Sequence, residues 1–167
     1  GYIDQAGDTA GGTTQALGVL TGVMYQDSTQ KKPVWLNYWP GSGGVSVDTN
    51  YPVRVYVADN PNQLFQVSSD ASLTNRATAV ATIFANTDLG TSARTGSTDT
   101  GASNSQASVA NVAVTATLPL RIVGIVDDDA NSDYTAAGIP LKVRLNAHFN
   151  AGTRRFDSQS TADSTGL

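Results

Sequence analysis

Residues 141–149 have the sequence LKVRLNAHF, in which apolar and polar side chains alternate. Successive side chains of a β-strand point to opposite faces of its sheet, so this period of two predicts a strand with one buried face. The side chains expected to point inward are Leu141, Val143, Leu145, Ala147 and Phe149. Those expected to point outward are Lys142, Arg144, Asn146 and His148, which places the one histidine of the chain on the surface.

Further strands are predicted along the chain by the same alternation. They are QALGVLTGVMY (15–25), PVWLNYW (33–39), PVRVYVA (52–58), QLFQV (63–67), VAVTATL (112–118) and the mostly apolar, central LRIVGIV (120–126). Polar turn sequences join 15–25 to 33–39 and 52–58 to 63–67, so each of these pairs predicts a β-hairpin. Gly18 and Gly22 share one face of the first strand and indicate a close approach by another element or a bend.

One segment, residues 72–86, has the apolar period of an α-helix. Its apolar side chains are Leu73, Ala77, Val80, Ile83, Phe84 and Ala85. Ser72 is the expected N-cap, and the many threonines limit the helix to about three or four turns. Residues 88–111, which are poor in apolar residues and rich in Gly, Ser and Thr, predict a long exposed loop with one short strand near 93–95.

The composition favours the same fold class. The chain has 167 residues and a net charge of −4, and its fourteen acidic residues are all aspartate. Glutamate, a good helix former, is missing, whereas Thr, Val and Tyr favour strands and Asp, Asn and Gly favour turns. We therefore predict an all-β, mainly antiparallel fold, a β-sandwich or small β-barrel with one short helix at about 72–86 and long loops. The expected organisation is an N-terminal arm (1–14), a single β domain (15–150) and a C-terminal tail (151–167).

Composition also argues against several classes of site. The absence of cysteine excludes disulfides and thiolate ligands, and a single histidine excludes a multi-histidine metal centre. A pI near 4.6 argues against nucleic acid as a partner. No apolar run reaches the roughly 18 residues of a membrane span, so a membrane partner is not expected either. We predict no catalytic site, no metal site and no cofactor.

Two candidate sites are weak on their own residues. Asp127, Asp129, Asn131 and Asp133 stand at alternate positions, as do the first ligands of an EF-hand loop. Ser132 stands where that loop needs glycine and Gly138 where it needs glutamate, so a solvated acidic loop is favoured over a weak calcium site of another design. His148 could serve as a general base only beside a nucleophile and a carboxylate, and no G-x-S-x-G motif is present.

An aromatic cluster is the most informative feature. Trp35, Tyr38 and Trp39 fall in one short strand, and Tyr25 is expected across the hairpin. Alternation puts Trp35 and Trp39 on one face and Tyr38 on the other. Trp and Tyr are enriched at interface hot spots. Core packing, a partner interface and a carbohydrate-binding platform are all compatible with this pattern, and Trp35, Tyr38, Trp39 and Tyr25 are the candidate partner-interface residues.

Five segments carry a resemblance to a known group of proteins. In order they are GVLTGVMYQD, KKPVWLNYWPGS, PVRVYVADNPNQLFQV, LRIVGIVDDDANSDYTAAG and LKVRLNAHFN. This series, over about residues 17–150, resembles small structural proteins of marine tailed bacteriophages. In that group a GVF.GV.Y.D strand leads to a KP..NYWP strand, followed by a V.V.DDPN..F.VQ hairpin and a late L.ILG.VD to VL.N.H pair. Residues 88–111 match no part of the pattern.

The resemblance implies a role in the virion and no catalytic residues. Proteins of this group look like head decoration (cement) or minor capsid proteins. A decoration protein that binds the outside of the major capsid protein shell as a homo-oligomer is therefore expected, located on the capsid exterior and in the host cytoplasm during assembly. The alternatives are another virion β protein of the tail, neck or fibre, and a carbohydrate-binding β-sandwich.

Overall fold

The computed structural model describes residues 16–41, 43–90, 96–97, 99–115, 118–127, 133–146 and 148–150. These residues form two β-sheets and a single short helix, which confirms the predicted all-β class. They divide into a large unit, within the ranges Gly1–Leu17, Asn60–Ala93 and Ser105–Leu167, and a small unit, within the ranges Gly18–Asp59 and Arg94–Asn104. The predicted arm (1–14), the predicted tail (151–167) and the strand expected near 93–95 lie outside the described residues.

The small unit is an antiparallel sheet in the order β2-β1-β3. Its strands are β1 (Val19–Gln26), β2 (Pro33–Leu36) and β3 (Arg54–Ala58). The hairpin predicted between 15–25 and 33–39 is confirmed, because β1 pairs with β2 from Val23↔Leu36 to Gln26↔Pro33. Asp27 organises the turn, since its carboxylate accepts the main-chain N–H groups of Thr29 and Gln30, each at 2.7 Å.

The close approach that the glycines of the first strand predict is also confirmed. A Cβ atom at Gly18, whose φ is +156°, would overlap the carbonyl oxygen of Ala58 on β3. A Cβ atom at Gly22 would overlap the ring of Trp35 on β2. The ladder between β1 and β3 shifts register between Leu20 and Gly22, so β1 carries a bulge between the two contacts.

The large unit contains a mixed sheet in the order β5-β7-β8-β4-β6. Its elements are β4 (Phe65–Ser69), α1 (Arg76–Ala81), β5 (Asn86–Thr87), β6 (Gln106–Ala107), β7 (Leu120–Ile125) and β8 (Pro140–Leu145). The central strand predicted at 120–126 is confirmed as β7, which lies between β5 and β8. All pairs are antiparallel except β4 with β6, which run parallel.

The two ends of this sheet are joined to each other. The chain continues from β5 into Leu89, which forms an antiparallel bridge with Ala107 of β6. Gly90 N–H donates to the Gln106 carbonyl at 2.7 Å, and Ser108 N–H donates to the Asp88 carbonyl at 3.0 Å. The prediction that 88–111 is an exposed loop is therefore wrong for these residues. Most of them are small or polar, and their main-chain pairing leaves no apolar pattern in the sequence.

The core of the large unit lies on the inner face of the curled sheet. Ile122, Leu141 and Val143 are fully buried. The inward face predicted for 141–149 is thus correct for Leu141 and Val143, whereas Leu145 is half-buried and Ala147 lies outside the described residues. Phe149 is exposed, because the strand ends at Leu145 and the alternation no longer applies beyond it.

Other buried side chains complete this core. They are Leu73, Ala79, Ala107, Leu120 and Ile139, with Phe65, Val67, Leu89, Val109, Val112, Ile125, Tyr134 and Leu145 packed against them. The core therefore draws on residues from every strand of the large unit except β5, and on the short helix.

The hairpin predicted between 52–58 and 63–67 is wrong. The first segment becomes β3 and pairs with β1 of the small unit, whereas the second becomes β4 and pairs with β8 and β6 of the large unit. The turn sequence between them is therefore a connection between sheets. A short polar loop joins neighbours in sequence, but it does not dictate that the strands pair.

The helix is shorter than predicted and has another cap. It spans Arg76–Ala81, and the side chain of Asn75, in place of Ser72, accepts the N–H of Thr78 at 2.9 Å. Residues before the cap are held elsewhere, since Leu73 N–H donates to the Tyr134 carbonyl. Phe84 lies beyond the end of the helix, with φ +71°, and its N–H donates to the Ile122 carbonyl, so its side chain is exposed where the apolar period predicts burial.

The strand predicted at 112–118 is also wrong for the residues described. Ala113 forms only an isolated bridge with Asn86, and Val114 is exposed. The main chains of Asn86 and Ala113 exchange two hydrogen bonds: Asn86 N–H donates to the Ala113 carbonyl at 2.7 Å, and Ala113 N–H donates to the Asn86 carbonyl at 2.9 Å. The alternation of this segment is real, but the strand beside it is too short to pair with all of it. That strand, β5, consists of Asn86 and Thr87 alone.

Candidate interaction surface

Trp35 and Tyr56 form an exposed aromatic pair on one face of the small unit. The register sets Met24 opposite Trp35 and Gly22 opposite Tyr56, so all four residues lie on the same face. The ring of Trp35 crosses Gly22 to meet Tyr56, with the ring centroids 4.8 Å apart and the planes tilted by 60°. Trp35 is 53% exposed and Tyr56 is 43% exposed. Val19 lies exposed on the same face, and these residues together are called the aromatic face below.

Trp39 and Tyr25 contact each other on the opposite face. Their centroids lie 6.0 Å apart with the planes at 79°, an edge-to-face contact. The prediction that Trp35 and Trp39 share a face is therefore wrong. Strand β2 ends at Leu36, so the period of two does not extend to Trp39.

The four candidate interface residues thus differ in exposure. Tyr25 is only 6% exposed, and its buried ring packs against Trp39. Trp39 is at the border of exposure and Tyr38 is half-buried. Trp35 is the most exposed of the four, and its neighbour Tyr56 was not among the candidates. The contact of Tyr56 with Trp35 depends on the pairing of β3 with β1, which no local sequence pattern indicates.

This arrangement offers rigid apolar anchors. An aromatic side chain has few rotatable bonds, and a ring already held against another ring loses little further entropy on binding. Such residues dominate the energetics of protein interfaces. The aromatic face can therefore bind a protein surface or the apolar face of a sugar.

Substituting Gly22 with alanine is expected to displace the ring of Trp35 from Tyr56, because the new methyl group occupies the position of the ring. The expected cost is about 0.5–1.5 kcal/mol, the value of an aromatic pair. Tryptophan fluorescence should shift, and denaturant titration should show the loss. The matched control is Gly124→Ala, whose Cβ would meet only Lys142 Cδ at 3.8 Å. Equal effects of both variants would contradict the packing described.

Asp127 belongs to an ion pair at the start of the predicted acidic loop. Arg76 donates to Asp127 Oδ2 from Nε at 2.9 Å and from Nη2 at 2.5 Å, and the hydroxyl of Tyr134 donates to Oδ1. The hydrogen bonds from Arg76 first, and from Tyr134 second, lower the pKa of the Asp127 carboxyl below its ordinary value. Residues 128–132, which include Asp129 and Asn131, lie outside the described residues. Among the residues that are described, no group of three or more His, Cys, Asp or Glu side chains could hold a metal ion.

The lowered pKa of Asp127 predicts a small loss of stability in acid. Its contribution is present above the unfolded-state pKa, near 3.8, and is lost as the pH falls through the lower folded-state value. The variants Asp127→Asn and Arg76→Gln should each be less stable than the parent at pH 6 and equal to it at the acid end. The effect is small because both side chains are solvent-exposed. A difference that persists undiminished in acid would contradict the linkage.

His148 lies in the interior and not on the surface, contrary to the sequence prediction. It is 2% exposed, and its Nδ1 accepts the main-chain N–H of Asn150 at 3.0 Å. Its main chain forms a parallel bridge with Ala16. This bridge begins past the end of β8, so the residue no longer follows the alternation that pointed it outward. Within the described part of the chain, its Nε2 has no hydrogen-bond partner.

No protein-family model, curated protein or solved structure matches this chain. In the part of the chain that the structure describes, no helix is both long and apolar enough to span a membrane.

Proposed function

We propose that this chain is a non-enzymatic structural protein of a virion, a decoration or cement protein that binds the outer surface of the major capsid protein shell and stabilises it. The observation that carries the proposal is the aromatic face, on which Trp35 and Tyr56 stand exposed and held against each other. Its side chains come from three segments that are among those resembling phage structural proteins. These segments are GVLTGVMYQD, KKPVWLNYWPGS and PVRVYVA.

The physical demands of this role fit the small unit. A cement protein meets the same site many times on one lattice, so modest contacts add up through avidity. The contacts must be rigid, and β1 holds both ring-bearing strands in register. The net charge of −4 keeps a densely covered particle soluble.

Binding to capsid shells tests the proposal. Purified chain should co-sediment with shells of the major capsid protein from the same phage and saturate at a fixed ratio. Trp35→Ala should weaken binding by about 2 kcal/mol, the size of an interface hot spot. The control is Tyr51→Ala, an exposed tyrosine outside the strands. Absence of binding by the parent chain would overturn the proposal, and equal binding by both variants would overturn the role of Trp35.

A carbohydrate-binding module is the second candidate, favoured by the exposure of Trp35. Sugars stack on flat aromatic surfaces, whereas the 60° tilt between Trp35 and Tyr56 leaves Trp35 as the principal platform. A glycan array should then give signals that disappear in Trp35→Ala. A blank array together with shell binding would reject this candidate.

A further inference from the structure

Strand β3 has an open edge. In the described part of the chain it pairs with β1 and with no other strand. Three of its residues, Arg54, Val55 and Tyr56, are exposed, and Val57 and Ala58 are partly so. An exposed edge strand presents unpaired N–H and C=O groups, and proteins usually protect such edges with proline, lysine or covering elements.

The other sheet edges of the described chain are protected. Strand β2, at the far side of the same sheet, is only four residues long and begins with Pro33. In the large unit, the seam between 88–90 and 106–108 pairs the two outermost strands. Strand β3 has five residues, with neither proline nor lysine, one charged side chain at its start (Arg54) and β-branched side chains at Val55 and Val57. This edge is therefore suited to accept another strand.

The geometry shows which main-chain groups face outward. The carbonyl oxygen of Tyr56 accepts the Thr21 hydroxyl at 3.2 Å, and that of Ala58 lies against Gly18, so both point toward β1. Alternate residues of a strand direct their main-chain groups to opposite sides. Val55 and Val57 therefore direct their N–H and C=O groups to the open side.

We propose that β3 pairs with β3 of a second copy of this chain, antiparallel about a two-fold axis through Tyr56. Paired residues then lie on the same face of the joint sheet, and because Tyr56 is the middle residue of β3, this register pairs all five of its residues. Val55 then stands opposite Val57 of the other copy, with the outward groups of each facing the other. These pairs exchange both main-chain hydrogen bonds, so the edge is complementary to itself.

A two-fold pair would also extend the aromatic face. Tyr56 of each copy would meet its counterpart at a site without main-chain hydrogen bonds, where the side chains of an antiparallel pair are closest. Each Tyr56 already contacts Trp35. The two faces would join into one strip of four aromatic rings, with both Trp35 rings exposed for a further partner. The proposal adds to the proposed function but does not depend on it.

Substitutions of opposite charge at Tyr56, tested alone and mixed, test the proposal. The parent chain should have twice the 17.3 kDa mass of one chain by analytical ultracentrifugation. Tyr56→Lys and Tyr56→Asp each place like charges opposite one another and should sediment as single chains, whereas an equimolar mixture should regain the dimer mass. A single-chain mass for the parent at all concentrations would overturn the proposal. So would a mixture that stays monomeric while both variants keep the circular dichroism of the parent.

A cross-link gives a second readout in a chain without cysteine. In Tyr56→Cys the two Cα atoms would be about 4.5 Å apart, within the roughly 4.4–6.8 Å that a disulfide spans. Mild oxidation should therefore yield a covalent dimer at low protein concentration. Tyr51→Cys, at an exposed position outside the strand, should remain monomeric under the same conditions. Equal cross-linking of both would overturn the proposal, and shell binding by a strictly monomeric chain would leave the proposed function standing.

Discussion

Replacing Leu141 with alanine is expected to lower the free energy of unfolding of the large unit by about 2–5 kcal/mol. Leu141 is fully buried on β8, the strand that links β7 to β4. The substitution removes apolar contacts and leaves a cavity in a core with little else to fill it, because the neighbouring side chains are fixed by the strands. Denaturant unfolding followed by far-ultraviolet circular dichroism measures the loss.

The matched control is the same substitution at an exposed leucine. Leu64→Ala, just before β4, removes the same atoms from a solvated position and should change stability by no more than about 0.5 kcal/mol. Both tryptophans, Trp35 and Trp39, lie in the small unit, so their fluorescence reports that unit separately. Equal losses for Leu141→Ala and Leu64→Ala would contradict the placement of the core.

Ser69→Ala is expected to cost about 1–3 kcal/mol for each group that it leaves unpaired. Ser69 is fully buried at the end of β4. Its hydroxyl donates to the Ala71 carbonyl at 2.8 Å and accepts the Ile139 N–H at 3.0 Å. The substitution removes a partner from both main-chain groups without creating a large void, so the loss measures hydrogen bonding and not packing.

The adjacent serine is the control for this substitution. Ser68 is exposed on the same strand, and Ser68→Ala should be nearly neutral. Thermal unfolding of the two variants side by side measures the difference. A neutral Ser69→Ala would show that water or a rearranged main chain replaces the hydroxyl, and would contradict the role given to its two hydrogen bonds.

The regular strands could be predicted from the sequence because burial of one face leaves a period of two. This signal located β1, β3, β7 and β8, and it identified Leu141 and Val143 as core residues. It failed where the strand ended. His148 and Phe149 continue the written alternation past Leu145, yet the first is buried and the second exposed.

Pairing between distant segments was not accessible from the sequence. Residues 52–58 and 63–67 look like a hairpin, yet they pair with strands far apart in the chain. The seam between 88–90 and 106–108 is held by main-chain hydrogen bonds, which every residue can make, so its Gly, Ser and Asp side chains resemble those of a loop. Ser69 and Thr87 are buried and hydrogen-bonded, which no hydropathy pattern indicates.

Part of the candidate site was predictable. The aromatic cluster of the sequence includes Trp35, and Gly22 was predicted to lie where another element approaches closely, which is where the Trp35 ring packs. Tyr56 escaped because its contact with Trp35 crosses β1, and only the register of three strands brings them together. The local sequence thus indicated which residue types the site contains, whereas their arrangement on one surface depends on long-range strand pairing.

The central proposal, that this chain decorates the shell of a phage, is tested most directly by electron microscopy of purified particles of the virus that the proposal implies. We predict density for the β-sheets of this chain on the outside of the shell, repeated at equivalent lattice sites, with the aromatic face or the edge of β3 in contact with a neighbour. Density confined to the tail, neck or fibre at a few copies would contradict the decoration role, as would particles that lack the chain.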